Sequence, residues 1–249
     1  MGELMRILLA AVLLTVVSVS SAHADASDPY NGFAQFADKG SLKPFARDLG
    51  GLLGSGTFHD GRSLGFSGFD VGARYGMQFY PSKGDNILRN NGVRSFALPW
   101  VQAEIGLPFK IDGFIRGISY DGLTVSGGGL RYGLFSPSDK PWAPQVLISG
   151  VGHSVVNQSF SATHFGADVV FSAGTPFFMP YLGAGFDHTR LVARSSALDP
   201  TLDGSTVTTM ESRFTGGMRF KLYQFTYLSL AYVRAHNQSG SEAGLGVRF

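Results

Sequence analysis

Cysteine is absent from this chain of 249 residues, which excludes disulfide scaffolds, thiolate metal sites and cysteine nucleophiles. Charged residues are also scarce, at 15%, where a typical globular protein has about 25%. The net charge of +2 comes without a basic cluster, so we expect no nucleic-acid partner. After Ala24 there is no apolar run long enough for a membrane-spanning helix, which excludes a helical inner-membrane protein.

The first residues are typical of a secretory signal peptide. Met1 to Arg6 forms a short segment with one basic side chain, and Ile7 to Val17 is apolar except for Thr15. Ala22, His23 and Ala24 place small residues at the expected cleavage positions. We therefore predict a cleaved signal peptide over residues 1–24 and export of the remaining chain.

The mature chain is dominated by strict alternation of apolar and polar residues. From Phe69 to Phe79 every odd residue is apolar, and every even residue is polar or glycine. Successive side chains of a strand point to opposite faces, so this pattern predicts a strand with one apolar and one polar side. The same alternation closes the chain between Glu242 and Phe249.

Ten such segments follow one another, separated by turns. Long polar connections alternate with short, proline-containing ones, as in outer-membrane barrels, and the tight turn at Tyr120–Gly122 is the exception. We predict an all-β fold, a transmembrane antiparallel up-and-down β-barrel of ten to twelve strands, the extra ones near Gly50–Phe58 or within Tyr181–Leu222. The predicted strands are Phe66–Tyr80, Phe96–Leu107, Ile111–Tyr120, Leu123–Leu134, Gln145–His153, His164–Ser172, Tyr181–Ala193, Val207–Leu222, Thr226–Ala235 and Ser241–Phe249.

The polar face favours a membrane barrel over a soluble one. It consists largely of glycine with isolated charges, which suits a crowded interior rather than a face turned to water. Two roles are open for these charges: they line a pore or orient a ligand, or they form a structural ion-pair network. The predicted lumen-facing residues are Arg74, Glu104, Arg131, Asp168, Arg213 and Arg219. The predicted interfacial aromatics are Phe79, Tyr80, Trp100, Tyr120, Tyr132, Tyr223 and Tyr232.

Residues 25–60 form a separate N-terminal segment ahead of a barrel over residues 61–249. Apolar residues from Phe45 onward recur at helical spacing after Pro44, whereas four glycines between Gly50 and Gly56 argue against a helix there. We predict a helix or plug over Leu42–Leu49, followed by an extended piece that ends near His59. The alternative is a periplasmic extension with no special role.

The last nine residues, Ser241–Phe249 (SEAGLGVRF), resemble the closing strand of outer-membrane proteins. That resemblance implies that Phe249 is an assembly signal read by the barrel-assembly machinery. More loosely, Leu42–Phe79, Ala97–Pro108 (ALPWVQAEIGLP) and Gly127–Phe135 (GGGLRYGLF) resemble a family of uncharacterised envelope β-barrels. This family is close to the outer-membrane transporters of hydrophobic compounds, which implies a small hydrophobic ligand.

No motif in the sequence indicates catalysis or a cofactor. His153 and Ser154 fall on opposite faces of a strand, as do Ser161 and His164, and there is no Gly-x-Ser-x-Gly elbow. The histidines are scattered without metal-ligand spacing, so we predict neither a metal nor a cofactor.

The sequence therefore predicts a monomeric, porin-like barrel in the lipid of a Gram-negative outer membrane, and not an enzyme. The first function hypothesis is passive transport or binding of a small hydrophobic or amphipathic molecule. The alternatives are a structural or surface-interaction barrel with a packed interior, and an outer-membrane lipid-modifying hydrolase.

Overall fold

The computed structural model describes residues 29–138, 140–194 and 199–249. The predicted signal peptide, residues 1–24, lies outside the described residues. The described residues contain the helices α1 (Gly32–Phe36), α2 (Leu42–Gly54) and α3 (Asn86–Asn90), together with 3-10 turns at Pro108–Lys110 and Pro200–Leu202. The strands are β1 Phe69–Gln78, β2 Phe96–Gly106, β3 Ile111–Tyr120, β4 Leu123–Gly133, β5 Gln145–Val156, β6 Phe160–Ser172, β7 Phe178–Ala193, β8 Thr206–Lys221, β9 Thr226–Ala235 and β10 Gln238–Arg248.

These ten strands form one closed antiparallel barrel in which each strand pairs with its neighbour in sequence. The seam pairs β1 with β10, from Asp70 opposite Arg248 to Gln78 opposite Gly240. The predicted up-and-down barrel is thus confirmed at the lower end of the expected strand number. Over the described residues, neither Gly50–Phe58 nor the Tyr181–Leu222 hairpin supplies an additional barrel strand.

The two ends of the barrel differ, and we name them by their connections. The loop end carries the β1–β2, β3–β4, β5–β6, β7–β8 and β9–β10 connections; the turn end carries the others together with the start of β1 and the end of β10. Two connections at the loop end are two-residue hairpins with positive φ at both positions. They are Asp121–Gly122 and His236–Asn237.

One predicted loop is wrong. The sequence predicts a polar connection between the strands Gln145–His153 and His164–Ser172, but β5 runs to Val156 and β6 begins at Phe160. The two strands continue to pair up to Val156 opposite Ser161. In β6, Ser161 and Thr163 point outward, whereas Phe160 and Ala162 point into the lumen and are buried. Polar outward side chains at a strand end therefore look like a loop in the sequence.

Helix α2 is longer than predicted because its glycines serve packing. The expected helix ended at Leu49, but the observed one ends at Gly54. A Cβ at Gly50 would clash with the Thr189 hydroxyl, and a Cβ at Gly54 would clash with the Asp187 carboxylate. The glycines therefore allow the helix backbone to lie directly against the inner wall, which compensates for their poor helix propensity.

The outward face of the barrel is an apolar surface. Large exposed side chains such as Ile115, Leu130 and Leu182 cover its middle. Aromatic side chains concentrate at the turn end, where Phe66, Phe109 and Phe177 are each more than two-thirds exposed. This is the surface of a transmembrane β-barrel, with apolar residues towards lipid and aromatics at an interface.

One predicted interfacial aromatic is misplaced: Trp100 points into the lumen and is only 1% exposed. It lies at an even position of β2, on the same face as the buried Gln102 and Glu104.

Among the described residues, none of the helices is long and apolar enough to cross a membrane.

Candidate functional site

The N-terminal segment, described from residue 29 up to the start of β1 at Phe69, runs through the lumen from one end of the barrel to the other. At the loop end, the carbonyl of Pro29 accepts a hydrogen bond of 3.4 Å from the Asn91 side chain. Midway, Phe58 lies over Gly183, where a Cβ would be 2.5 Å from the phenyl ring. At the turn end, the Leu64 amide donates to both carboxylate oxygens of Asp112 at 2.9 and 3.0 Å. The segment therefore occupies the barrel axis between both mouths.

The half of the lumen towards the loop end is an apolar core. Phe33 from α1 and Phe45 from α2 meet Phe160 of the wall, with ring centroids 4.9 and 5.1 Å from it. All three side chains are fully buried. Wall residues of five strands complete this core, and they include Leu98, Trp100, Val125, Val155 and Leu191.

The half of the lumen towards the turn end is a buried network of opposite charges. Glu104 Oε1 forms an ion pair with Arg131 Nη2 at 2.7 Å and accepts a hydrogen bond from Arg74 at 3.3 Å. Arg213 pairs with Asp168 and with Asp187, each at 2.9 Å. Such an arrangement holds neighbouring strands in register, because a buried charge that loses its partner is strongly destabilising.

The structure places all six sequence-predicted lumen residues inside the barrel, each at most 5% exposed. It brings five of them together in two groups. Arg74, Glu104 and Arg131 form the first group, and Asp168 and Arg213 form the second. Arg219 lies apart, with its Nε 3.0 Å from Asp60.

Several members of the network were not singled out from the sequence. Asp187 is the second partner of Arg213, and Asp60 of the N-terminal segment is shared by Arg219 and Arg248. Asp70 accepts from the Tyr227 hydroxyl at 2.7 Å. The parity of β1 and β10 was sufficient to find Asp70 and Arg248, whereas nothing in the local pattern places Asp60 against the wall.

Among the described residues, neither His153 nor His164 of the wall forms a hydrogen bond with a serine hydroxyl. His153 is buried and the adjacent Ser154 is exposed, as opposite faces require. His164 Nδ1 lies 3.0 Å from the Thr189 hydroxyl, and its Nε2 lies 3.5 Å from Asp187. Thr189 and Asp187 face Gly50 and Gly54 of α2, and His164 is fully buried. Among the described residues, no group of metal-binding side chains is arranged to hold an ion.

A polar centre at the loop end fastens α2 to the wall and to the β1–β2 loop. Asp48 of the helix accepts from Gln78 at 2.9 Å and from the Ser82 hydroxyl at 2.6 Å, and His236 Nε2 lies 2.7 Å away. Burial raises the pKa of Asp48, but the His236 ring and the donors Ser82 and Gln78 outweigh it, so the net pKa is lowered. Asp48 is therefore held as a carboxylate.

Asp85 lies near this centre and behaves in the opposite way. Burial, and then the negative charge of Asp48, raise the pKa of Asp85 to about 8. Its side chain accepts from the Leu88 amide at 3.0 Å and so caps α3. The loop that covers the mouth therefore contains a carboxyl group that is protonated at neutral pH.

The barrel wall is open between β2 and β3 towards the loop end. The two strands pair only from Val101 opposite Gly117 to Gly106 opposite Asp112. Above Val101, β2 continues to pair with β1, and β3 continues to pair with β4, but the two no longer pair with each other. Pro99 lies in this unpaired stretch and has no amide hydrogen to offer a partner.

An apolar cavity of about 230 Å³ lies at this opening. Its walls come from the unpaired ends of β2 and β3 and from the small outward side chains Ala73 and Ala243. Trp100 lines it from within, with the Arg116 guanidinium stacked 3.6 Å from the centre of its ring. We name this feature the wall opening, lined by Tyr75, Pro99, Trp100, Val101, Ile118, Ser119 and Tyr120 together with Ala73, Arg74, Leu228, Ala243, Gly244 and Leu245.

The fold and its lipid-facing surface define the class: this chain is a membrane β-barrel protein. Solved structures similar to it include the N-terminal β-barrel domain of Pseudomonas aeruginosa OprF, at 12% identity and a TM-score of 0.39. The alignment covers 74% of this chain and 99% of that one.

Two further similar structures are an outer membrane protein and a porin. The Yersinia pestis outer membrane protein Ail in a phospholipid bilayer nanodisc shows 11% identity and a TM-score of 0.35, covering 74% of this chain and 99% of that one. The KdgM porin in complex with disordered oligogalacturonate shows 8% identity and a TM-score of 0.33, covering 72% and 99%. All three TM-scores are below 0.5, so the fold assignment rests on the strand register above. No family model and no curated protein matches the chain.

Proposed function

We propose that this chain is a monomeric outer-membrane protein that binds a small hydrophobic or amphipathic molecule at the wall opening. The observation that carries the proposal is the interrupted β2–β3 ladder beside an apolar cavity. Unpaired backbone groups are costly in hydrocarbon and are tolerated at membrane depth only where they are covered or line a cavity. Small, mostly apolar cavities with few polar groups are the usual form of a ligand site.

The orientation in this proposal follows outer-membrane barrels in general, with the loop end outside and the turn end towards the periplasm. Entry through the wall fits the filled axis, because the N-terminal segment leaves the ligand no straight path between the mouths.

The proposal also keeps Phe249 as the signal for the barrel-assembly machinery. Phe249 exchanges backbone hydrogen bonds of 2.8 and 3.2 Å with Phe69 at the turn end.

Tryptophan fluorescence tests the binding proposal. The chain has two tryptophans, so Trp142→Phe leaves Trp100 as the reporter at the opening. We expect a brominated medium-chain fatty acid to quench Trp100 saturably in the refolded protein. Ala243→Phe should fill the cavity and abolish saturation, whereas Ala184→Phe, an outward substitution on β7, should leave it unchanged. Equal, non-saturating quenching in all three proteins would contradict the proposal.

A second candidate is a surface-interaction barrel with a packed interior. The occupied lumen favours it, since the N-terminal segment and the loops together form one cap over the loop end. Planar-bilayer recordings separate the candidates from a transport channel: both predict no steady conductance through the wild-type barrel. Steady conductance would contradict a packed interior, and the absence of saturable quenching would leave this second candidate in place of the first.

A further inference from the structure

We propose that a cavity at the turn end of the barrel binds a phosphate group, carried either by an anionic lipid headgroup or by a small free phosphate. The cavity has a volume of about 350 Å³ and is separate from the wall opening. This inference does not depend on the function proposed above, because none of the residues that line the two cavities is shared.

The side chains around this cavity carry an excess of positive charge. Four of them are cationic, namely Arg62, Arg219, Lys221 and Arg248, and among the described residues that line the cavity none has a carboxylate side chain. Arginine and lysine side chains that converge on one cavity are the usual means of binding phosphate, with arginine able to bind two oxygens at once.

The carboxylates behind this layer are too few to neutralise it. Asp60 is shared, since Arg219 Nε lies 3.0 Å and Arg248 Nη1 lies 3.3 Å from the same oxygen. Asp70 pairs with Arg248 at 3.0 Å, but it also lies 3.6 Å from Arg74. Arg74 also pairs with Glu104, which it shares with Arg131. Three carboxylates therefore serve four arginines, and Lys221 and Arg62 add further charge at the cavity.

A buried hydroxyl at the same cavity also lacks a protein partner. Thr226 Oγ1 is shielded from solvent and forms no hydrogen bond within the described structure. A buried hydroxyl without a partner is costly, and a bound oxygen atom would satisfy it. Thr226 lines the cavity, so a rotation of its side chain would bring this hydroxyl to a bound oxygen atom.

The other residues that line the cavity explain why a lipid headgroup is one of the two possible carriers of the phosphate group. Leu64, Pro137, Pro176, Phe225 and Phe249 give the cavity an apolar rim. The exposed aromatics of the turn end surround this mouth and mark the level of an interface. A phosphate attached to an acyl chain matches both the charges and this rim, whereas a free phosphate matches the charges alone.

The test uses the refolded mature chain in a zwitterionic detergent at constant ionic strength, because charged contacts are screened by salt. Titration calorimetry with inorganic phosphate measures binding of the free anion. Nanodiscs that contain phosphatidylglycerol, compared with nanodiscs of phosphatidylcholine alone, measure binding of the lipid headgroup. The readout is the amount of each lipid that stays bound per barrel. The variant Arg62→Gln/Lys221→Gln removes two cations and leaves the Arg219–Asp60–Arg248 pairs intact. The matched control, Lys83→Gln/Arg89→Gln, removes two exposed cations at the loop end.

We expect saturable binding by the wild type and the control, and at least about tenfold weaker binding by Arg62→Gln/Lys221→Gln, since losing one charge-assisted hydrogen bond has an effect of that order or greater. If inorganic phosphate binds, a free phosphate anion is sufficient to occupy the cavity. Selective retention of phosphatidylglycerol without phosphate binding identifies the headgroup. The proposal is overturned if the wild type binds neither, or if the control loses binding as strongly as the test variant.

Discussion

Replacing Gly54 by alanine tests whether α2 is docked against the barrel wall. In a helix free of tertiary contacts, glycine to alanine stabilises by up to about 1 kcal/mol. In this structure, the new methyl group would be 2.7 Å from Asp187 Cγ and closer still to its oxygen. Asp187 cannot easily withdraw, because Arg213 holds it through Nε at 2.9 Å and Nη2 at 3.3 Å.

The expected effect therefore has the opposite sign to the effect of helix propensity. Overpacking a filled interior costs about 1–3 kcal/mol, which exceeds the propensity gain. Gly51→Ala is a matched control within the same helix, since its methyl group would lie 3.2 Å from His236 and 3.3 Å from Ala235. Small shifts relieve such contacts, so we expect Gly51→Ala to be near neutral and Gly54→Ala to be destabilising by about 1–2 kcal/mol net.

The assay is urea unfolding of each variant refolded into lipid vesicles, followed by tryptophan fluorescence. Trypsin cleavage after Arg47 gives an independent measure of whether the segment leaves the lumen. Destabilisation and faster cleavage confined to Gly54→Ala would support the docked helix. If both substitutions stabilise the protein equally, the reasoning about the glycine face is wrong.

Three further predictions concern the buried polar groups and the aromatic core. Asp187→Asn should lower the free energy of unfolding by about 3–5 kcal/mol, because it removes a buried charged partner of Arg213. Urea unfolding in vesicles measures this loss. A loss below about 1 kcal/mol would contradict an ion pair shielded from water. The folded-state pKa of Asp85 is raised to about 8, so the folded protein binds the Asp85 proton more tightly than the unfolded chain does. The free energy of unfolding should therefore fall as the pH rises from about 4 to 8. Asp85→Asn keeps the cap and should weaken that dependence in pH-resolved urea melts; an unchanged slope would refute the assignment. Phe45→Ala should cost about 3–5 kcal/mol and expose the N-terminal segment to protease, whereas Lys43→Ala, at an exposed position of the same helix, should do neither.

The barrel was predictable because membrane strands impose a strict period of two. Alternation in β1 assigned Asp70, Arg74 and Gln78 to one face, and these side chains are buried in the lumen. Glycine with isolated charges correctly indicated the inward face. Boundaries were less accurate at the loop end, where outward polar residues of β5 and β6 extend beyond the apolar surface.

The filling of the lumen was harder to predict, because it depends on contacts distant in sequence. Helix propensity ended α2 at Leu49, and only the close approach of Gly50 and Gly54 to the wall explains its continuation. The wall opening depends on a missing pairing between β2 and β3, for which Pro99 was the available signal. Trp100 was assigned to the interface by its chemistry, although its even position in β2 already indicated the lumen.

The most direct test of the central claim, that the N-terminal segment fills the lumen, is a disulfide cross-link. The chain has no cysteine, so an engineered pair is free of background. A Cβ at Gly51 would lie 3.3 Å from Ala235 Cβ, close to the separation of about 3.5–4.5 Å found in disulfides. We expect Gly51→Cys/Ala235→Cys to form the bond during refolding, seen as a reducible shift on gels. Gly51→Cys/Leu230→Cys, with the second cysteine on the outward face of the same strand, should not. If neither pair cross-links in a correctly folded barrel, or both do so equally, the segment does not lie against this wall.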